Sequence, residues 1–467
     1  MEDIAEFCVR YLEKKGCGYV EVRVEEKDIN GLLLKNGTPE LGGFDAVKGM
    51  GIRFLFDDAL GFISLNDFDK EKVKANLNRA LRVTKSASKI NENTFLSEEK
   101  AIKKTYKVKQ RINFDNISGK EKLSLLKDIY KGIEDKNLIG SFLSLDNEVA
   151  RKFYVNNQGA KITSEIPRAN YVYYVTVGAG DKTMQRFWQY GDTKGWEAVK
   201  SWNLNKLMVE EVDALNNNLI NGVEAPKGKM DLVVGPEVTG IMVHESCGHP
   251  CEADRIFGRE SAQAGESFIT NKMLGTNIGN KVVSIVDDPT LEGTYGHFLY
   301  DDEGVKTRRN YLYKEGVING FLHNRETAVA TGIKSNGCAR ASDYDKETIV
   351  RMSNTFLLKG NMKENELIKG VKKGVYMKNF MEWNIDDRRW QQKYVGCEAY
   401  LIENGKITKP VRNSTIEITT PKLWSSVDAV GNNFELHAGT CGKGEPMQGI
   451  PVTFGGPSMR LRNIRLS

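Results

Sequence analysis

The chain has 467 residues, with 67 Lys and Arg against 62 Asp and Glu, a formal net charge of +5. So small an excess excludes a charge-driven nucleic-acid binder, and 40% hydrophobic with 28% charged residues is the composition of an ordinary globular chain. No apolar run reaches the roughly 20 residues that a membrane-crossing helix needs, and the acidic start Met1-Glu2-Asp3 is unlike a secretory signal. A cytoplasmic protein without membrane contact is expected. Seven cysteines are an odd and sparse set that does not suggest a disulfide framework, so they are read as ligands or inert core. The Asn413-Ser414-Thr415 sequon then carries no meaning.

In chain order, Ile4, Phe7, Cys8, Tyr11 and Leu12 fall at helical spacing and Gly16 closes the run. Residues 19–25 alternate Val20, Val22 and Val24 with Glu21, Arg23 and Glu25, the period of a strand with one wet face. Strands are expected at 31–35 and at 51–56, the latter turning through Asp57-Asp58, then a helix over 70–85 and a solvated, charged connection over 85–109 leading to a short strand. A helix follows over 121–134, β-type alternation over 153–177 and one long helix over 196–219. The Asn-rich end of that helix places a domain boundary near 222. Beyond it, residues 230–234 read as a buried strand, Pro236 opens a helix carrying Val238, Ile241 and Met242, and a strand is expected at 282–286. Glu315-Gly316 and Asn404-Gly405 mark hairpins, a short helix is expected near 363–373, and six glycines between 439 and 456 give a backbone free to bend or approach another group. The fold class is α+β: an N-terminal domain of mixed helix and antiparallel sheet (1–222), then a strand-rich C-terminal domain (223–467) carrying the metal-site helix.

Two of the five histidines lie in His244-Glu245-Ser246-Cys247-Gly248-His249-Pro250-Cys251-Glu252-Ala253-Asp254. Imidazole and thiolate suit zinc, and a carboxylate beside a ligand is placed to take a proton from a metal-bound water. The spacing is His-Glu-x-x-x-His. At about 100° per residue, side chains five apart lie about 140° from each other on a regular helix, which cannot aim both rings at one ion. A π-bulge would relieve the conflict, as would a helix ending at Gly248 with His249-Pro250 bent back; the poor helix residues Gly248 and Pro250 favour the second. A catalytic zinc wants a third protein ligand, with candidates Cys247, Cys251, Glu252, Asp254 or a distant residue. Cys441, in Gly439-Thr440-Cys441-Gly442-Lys443-Gly444, is the best placed of the distant ones. Core packing competes with ligation at all three cysteines.

His297, His323 and His437 are read as structural, with His437 a spare ligand; Asp301 and Asp302 either fix a histidine tautomer or cap a turn. The glycine-rich segment is not a phosphate-binding loop, since position 437 is His and Gly444 stands where Ser or Thr is needed. Gly178-Ala179-Gly180 does not continue as a dinucleotide fingerprint. Arg308-Arg309 and Arg388-Arg389 are taken as surface or structural pairs.

Taken together, the strands Tyr19-Val20-Glu21-Val22-Arg23 and Gly51-Ile52-Arg53-Phe54, the 244–254 block, Asp301-Asp302-Glu303-Gly304, Arg351-Met352-Ser353-Asn354-Thr355 and the 439–444 segment resemble the TldD/PmbA family. The resemblance covers nearly the whole chain and implies a zinc-dependent peptidase of the TldD type. His244, His249 and Cys441 would hold Zn²⁺ and Glu245 would be the general base; the PmbA (TldE) branch lacks that motif. It further implies unfolded peptide substrates held by their backbone, and a dimer with a TldE/PmbA-like partner chain or a second copy. Two rivals remain: a non-catalytic scaffold or regulatory subunit whose zinc has four protein ligands, and a thiol hydrolase using Cys441 with His437 or His249.

Overall fold

The computed structural model describes residues 1–40, 42–90, 93–260 and 265–467. Its first helix, α1 (Glu2–Lys14), buries Ala5, Cys8, Val9 and Leu12 against strand β1 (Tyr19–Lys35), which is a single 17-residue strand where two were expected. The charged face of β1 is not wet. Glu21, Arg23 and Glu25 are buried, because that face packs on the C-terminal half: Arg23 donates to the carbonyl of Asp343, and Glu21 accepts from Arg53, which also donates to Glu303.

Strands β2 (Phe44–Phe56) and β3 (Ala59–Leu65) join through Asp57 and Asp58, both at positive φ as a tight hairpin turn requires. Asp69 caps α2 (Lys70–Ala87) by accepting from the N–H groups of Glu71 and Lys72. In the connection that follows, β4 (Lys103–Lys107) is the expected short strand, but Thr94 and Ser97 are buried and Ser97 accepts from Arg325; this part is docked, not solvated. Residues 91 and 92 of it lie outside the described chain. A capping box between Ser118 and Glu121 opens α3 (Gly119–Lys131). The long strands β5 (Leu138–Asn156), β6 (Lys161–Ala179) and β7 (Lys182–Asp192) complete an eight-stranded sheet of order β3-β2-β1-β5-β6, with β4 and β7 both on β6 and the short strand Thr38–Glu40 on β1. The expected long helix is two, α4 (Glu197–Ser201) and α5 (Leu204–Asn221), broken where Asn203 adopts a left-handed φ of 49°.

In the C-terminal half, β8 (Gly228–Val234) lies inside a ten-stranded sheet and feeds α6 (Pro236–Val243). The strand near 282–286 is Ile285–Asp287, the short helix is Glu364–Lys369, and both predicted hairpin turns form with positive φ at Glu315, Gly316, Asn404 and Gly405. β9 (Phe380–Ile385) forms one edge of the ten-stranded sheet beside β10 (Gln391–Gly396). The glycine-rich segment is an antiparallel pair, β11 (Glu435–Lys443) with β12 (Gln448–Gly456), and β11 ends a six-stranded sheet.

This is the expected α+β class. The largest hydrophobic core runs through both halves, from Leu143 and Tyr173 to Met242 and Leu461. Arg186 on β7, 1% exposed, pins them together with Nη1 and Nη2 on the two oxygens of Glu237 in α6, each at 2.7 Å, and Nε on Glu211.

Candidate metal centre

Every residue of α6 is buried, and Gly240 shows why: a Cβ there would lie 2.8 Å from Phe454 on β12. The helix does not stop at Gly248 as its composition suggested. It widens into a π turn over His244–Gly248, closed by the His249 N–H on the His244 carbonyl, then tightens into a 3-10 turn over His249–Cys251. The i to i+5 bond stacks residues five apart, and the two imidazoles meet edge to face at 4.8 Å between centroids. Gly248 serves packing instead of termination, since a Cβ would sit 1.9 Å from Met352 Sδ.

Cys441 arrives from edge strand β11, its Sγ 3.4 Å from His249 Nε2. One ligand atom from each of His244, His249 and Cys441 lies within 4.8 Å of the others, and all three side chains are buried. Burial pushes the Cys441 thiol up, but His249, His244 and Arg351 outweigh it and hold the thiol well below its ordinary range. Burial likewise opposes a charged His244, yet Cys441 raises its pKa. His244 Nδ1 is buried without a hydrogen-bond partner. Two imidazoles, a thiolate-prone cysteine and an orphaned ring nitrogen suit a borderline-soft divalent metal such as zinc.

Behind the trio, Glu252 Oε2 holds His249 Nδ1 at 2.8 Å and takes Arg255 Nε at 2.7 Å, fixing the ring so that Nε2 faces Cys441. Lys443 Nζ lies 3.3 Å from Glu252 and donates to both Asp254 oxygens at 2.7 and 2.8 Å. Glu252 and Asp254 are therefore engaged as supports. Asp301 and Asp302 are not tautomer-fixing groups: Asp301 accepts from the N–H groups of Glu303, Val305 and Ala339, and Asp302 pairs with Lys152. Cys247 and Cys251 are fully buried outside the trio, and burial with neighbouring Cys251 pushes the Cys247 thiol far up. His297 binds the Pro289 carbonyl, His323 meets Thr327, and His437 packs between Trp188 and Phe454.

Glu245 faces a cavity of about 280 Å³ that also receives His244, His249 and Cys441 and has an aromatic wall of Trp188, Phe380, Trp383 and Phe454. Trp383 Nε1 donates to Oε1 at 3.2 Å and Arg389 Nη1 to Oε2 at 2.8 Å. Burial would raise the Glu245 pKa; Arg389, with the two histidines, brings it below the usual carboxylate value. Trp383 carries no signal in the sequence, and Arg389 reads there only as half of a surface or structural pair. The signal that distinguishes it from Arg388 is a backbone φ of 63°, which only coordinates reveal.

The description PmbA/TldA metallopeptidase C-terminal domain matches residues 227–467, domain 1 of the same family matches 20–88 and its central domain matches 112–213. The chain belongs to the TldD/PmbA metallopeptidase family. A metalloprotease of Methanocaldococcus jannaschii is 30% identical over 447 residues, 95% of each chain. A zinc metalloprotease TldD homolog of Saccharolobus solfataricus is 22% identical over 98% of each chain. The crystal structure of TldE from Thermococcus kodakarensis has a TM-score of 0.76 at 18% identity, covering 99% of this chain and 100% of that one, and so shares the fold. In this TldD/PmbA protein no helix among the described residues is long and apolar enough to cross a membrane.

Proposed function

We propose that the chain is a zinc-dependent peptidase of low sequence specificity acting on unfolded peptides, with His244, His249 and Cys441 as metal ligands and Glu245 as general base. The carrying observation is the convergence of those three ligand atoms in one cavity with a buried glutamate. Bound Zn²⁺ supplies Lewis acidity, polarising the scissile carbonyl and making water a competent nucleophile. Glu245 takes the proton of that water as its oxygen bonds to the carbonyl carbon, and returns it to the nitrogen as the C–N bond breaks. Glu252 keeps His249 in the tautomer with a free Nε2.

Two terminal strands, β9 and β11, flank the cavity. No further strand pairs with the outer side of β11 among the described residues, which favours recognition of an extended peptide through its main chain. A folded protein could not reach the buried trio, so the substrate is unstructured. Seven free, buried cysteines suit a reducing cytoplasm. A TldE/PmbA-like chain or a second copy would complete the enclosure of the cavity.

Elemental analysis of the protein and its Cys441→Ser variant, with hydrolysis of an unstructured peptide assayed with and without chelator, tests the reading. The expected result is about one zinc per chain, lost in the variant together with a chelator-sensitive activity. Zinc retained in the variant would move the third ligand elsewhere. Activity that resists chelator and yields to alkylation would replace the metallopeptidase with a thiol hydrolase, and sedimentation of the chain alone and with a TldE-like chain decides the partner.

A further inference from the structure

Arg389 lies in the turn between β9 and β10, at a φ of 63° that costs a non-glycine residue on the order of 1 kcal/mol. The turn is held in place regardless: Arg389 N–H donates to Asp386, Thr420 donates to the Arg389 carbonyl at 2.7 Å, and the Asp386 carboxylate accepts from the N–H groups of Trp390 and Gln391. The outcome is that two adjacent arginines diverge. The Arg388 side chain is 64% exposed and lies 3.7 Å from Glu266, whereas that of Arg389 is 11% exposed and lines the cavity with the ligand trio.

Its hydrogen bonding is incomplete in a directional way. Nη1 donates to Glu245, while Nε is buried without a partner, and among the described residues Nη2 donates to none. The contrast is Arg186, which is also buried and whose Nε, Nη1 and Nη2 all donate to carboxylates or a carbonyl. A buried donor left unmade costs roughly 1–3 kcal/mol. Strain and an unused donor therefore coincide on the one Lys or Arg that, among the described residues, bonds to Glu245.

We propose that Arg389 is a catalytic residue of the hydrolysis: its Nε and Nη2 edge donates to the scissile carbonyl oxygen as negative charge develops there, while Nη1 keeps Glu245 aimed into the cavity. This rests on the peptidase reading above. As the water oxygen bonds to the carbonyl carbon and its proton passes to Glu245, the carbonyl π electrons move to oxygen, where two N–H groups of fixed geometry meet them; on collapse the C–N bond breaks and the amine leaves with the proton from Glu245. Arg389 stays charged throughout and transfers no proton. Because these bonds strengthen as the oxygen becomes anionic, their effect falls on kcat and not on KM.

The test is steady-state kinetics of the zinc-loaded wild type, Arg389→Ala and Arg389→Lys on one unstructured peptide prepared as free acid and as C-terminal amide. Arg389→Ala should lower kcat about 10²–10³-fold on both peptides with KM little changed, and added guanidinium should restore part of the loss. Lysine keeps the charge beside Glu245 but not the two-donor fork, so Arg389→Lys should also lose kcat, and it keeps the test open if the alanine variant fails to fold. A loss confined to the free-acid peptide and carried by KM would make Arg389 an anchor for a terminal carboxylate and overturn the proposal, as would full activity in both variants of an active enzyme. A wild type without metal-dependent hydrolysis would overturn the peptidase reading itself, and this inference with it.

Discussion

Two of the clusters of buried charge in this molecule are finished differently. Where the N-terminal sheet meets the C-terminal half, Glu21 accepts from Arg53, Tyr19 and Tyr154, Arg53 reaches Glu303, and Arg325 donates from Nε, Nη1 and Nη2 to Ser97, Tyr19 and Gln158. None of these side chains has an unpartnered buried polar atom, although beside them on β1 Arg23 Nε and both Glu25 carboxylate oxygens are buried without a hydrogen bond. Around Glu245, by contrast, His244 Nδ1 and Arg389 Nε are buried and unpartnered. The network around Glu21 closes between the two halves of the fold, whereas the unpartnered nitrogens beside Glu245 belong to residues that line the cavity with Cys441, where a bound group can complete them.

The comparison breaks if the two clusters respond alike to substitution. Glu245→Gln, nearly isosteric, should lower peptide hydrolysis about 10²–10⁴-fold with zinc content and unfolding midpoint nearly unchanged; a large fall in midpoint would mark Glu245 as structural. Arg53→Met should do the reverse, costing about 3–5 kcal/mol in denaturant unfolding because it strands Glu21 and Glu303, while zinc per folded chain stays constant. Glu252→Gln sharpens the boundary, since it touches the site only through His249: metal affinity by chelator competition should fall about 10–100-fold, and no change would remove Glu252 from the site.

A further effect is a pH slope. Burial pushes His323 down to about 4 in the folded protein, against about 6.5 for an exposed histidine. Between those values the unfolded chain binds the extra proton, so stability falls as pH drops from about 6.5 to 4, by up to about 1.4 kcal/mol per pH unit from this residue. Urea unfolding at several pH values should show a shallower acid slope in His323→Asn, and an unchanged slope would mean that His323 titrates normally.

Much of this was legible in the sequence, because the signals involved are local. Asp57-Asp58, Glu315-Gly316 and Asn404-Gly405 name their turns by backbone preference, and Val20, Val22 and Val24 name a strand by its period. The concentration of His244, Glu245 and His249 in six residues marks a chemical purpose wherever the chain goes. Other readings failed where a distant partner decided the matter. Glu21, Arg23 and Glu25 look like a solvent face until Arg53 and Glu303 cover it, and Gly248 looks like a helix stop until Met352 occupies the space beside it.

By itself, then, the sequence determined the α+β class, the family and the set of residues able to bind a metal, since side-chain chemistry and short-range periodicity belong to the chain before it folds. Tertiary structure decided the π turn that brings His244 and His249 together, the edge strand that delivers Cys441 across 192 residues to His249, the carboxylate of Glu252 behind the ring, and the inward aim of Arg389. These depend on contacts between segments far apart in sequence, whose packing overrides local preference and leaves no trace in spacing or composition.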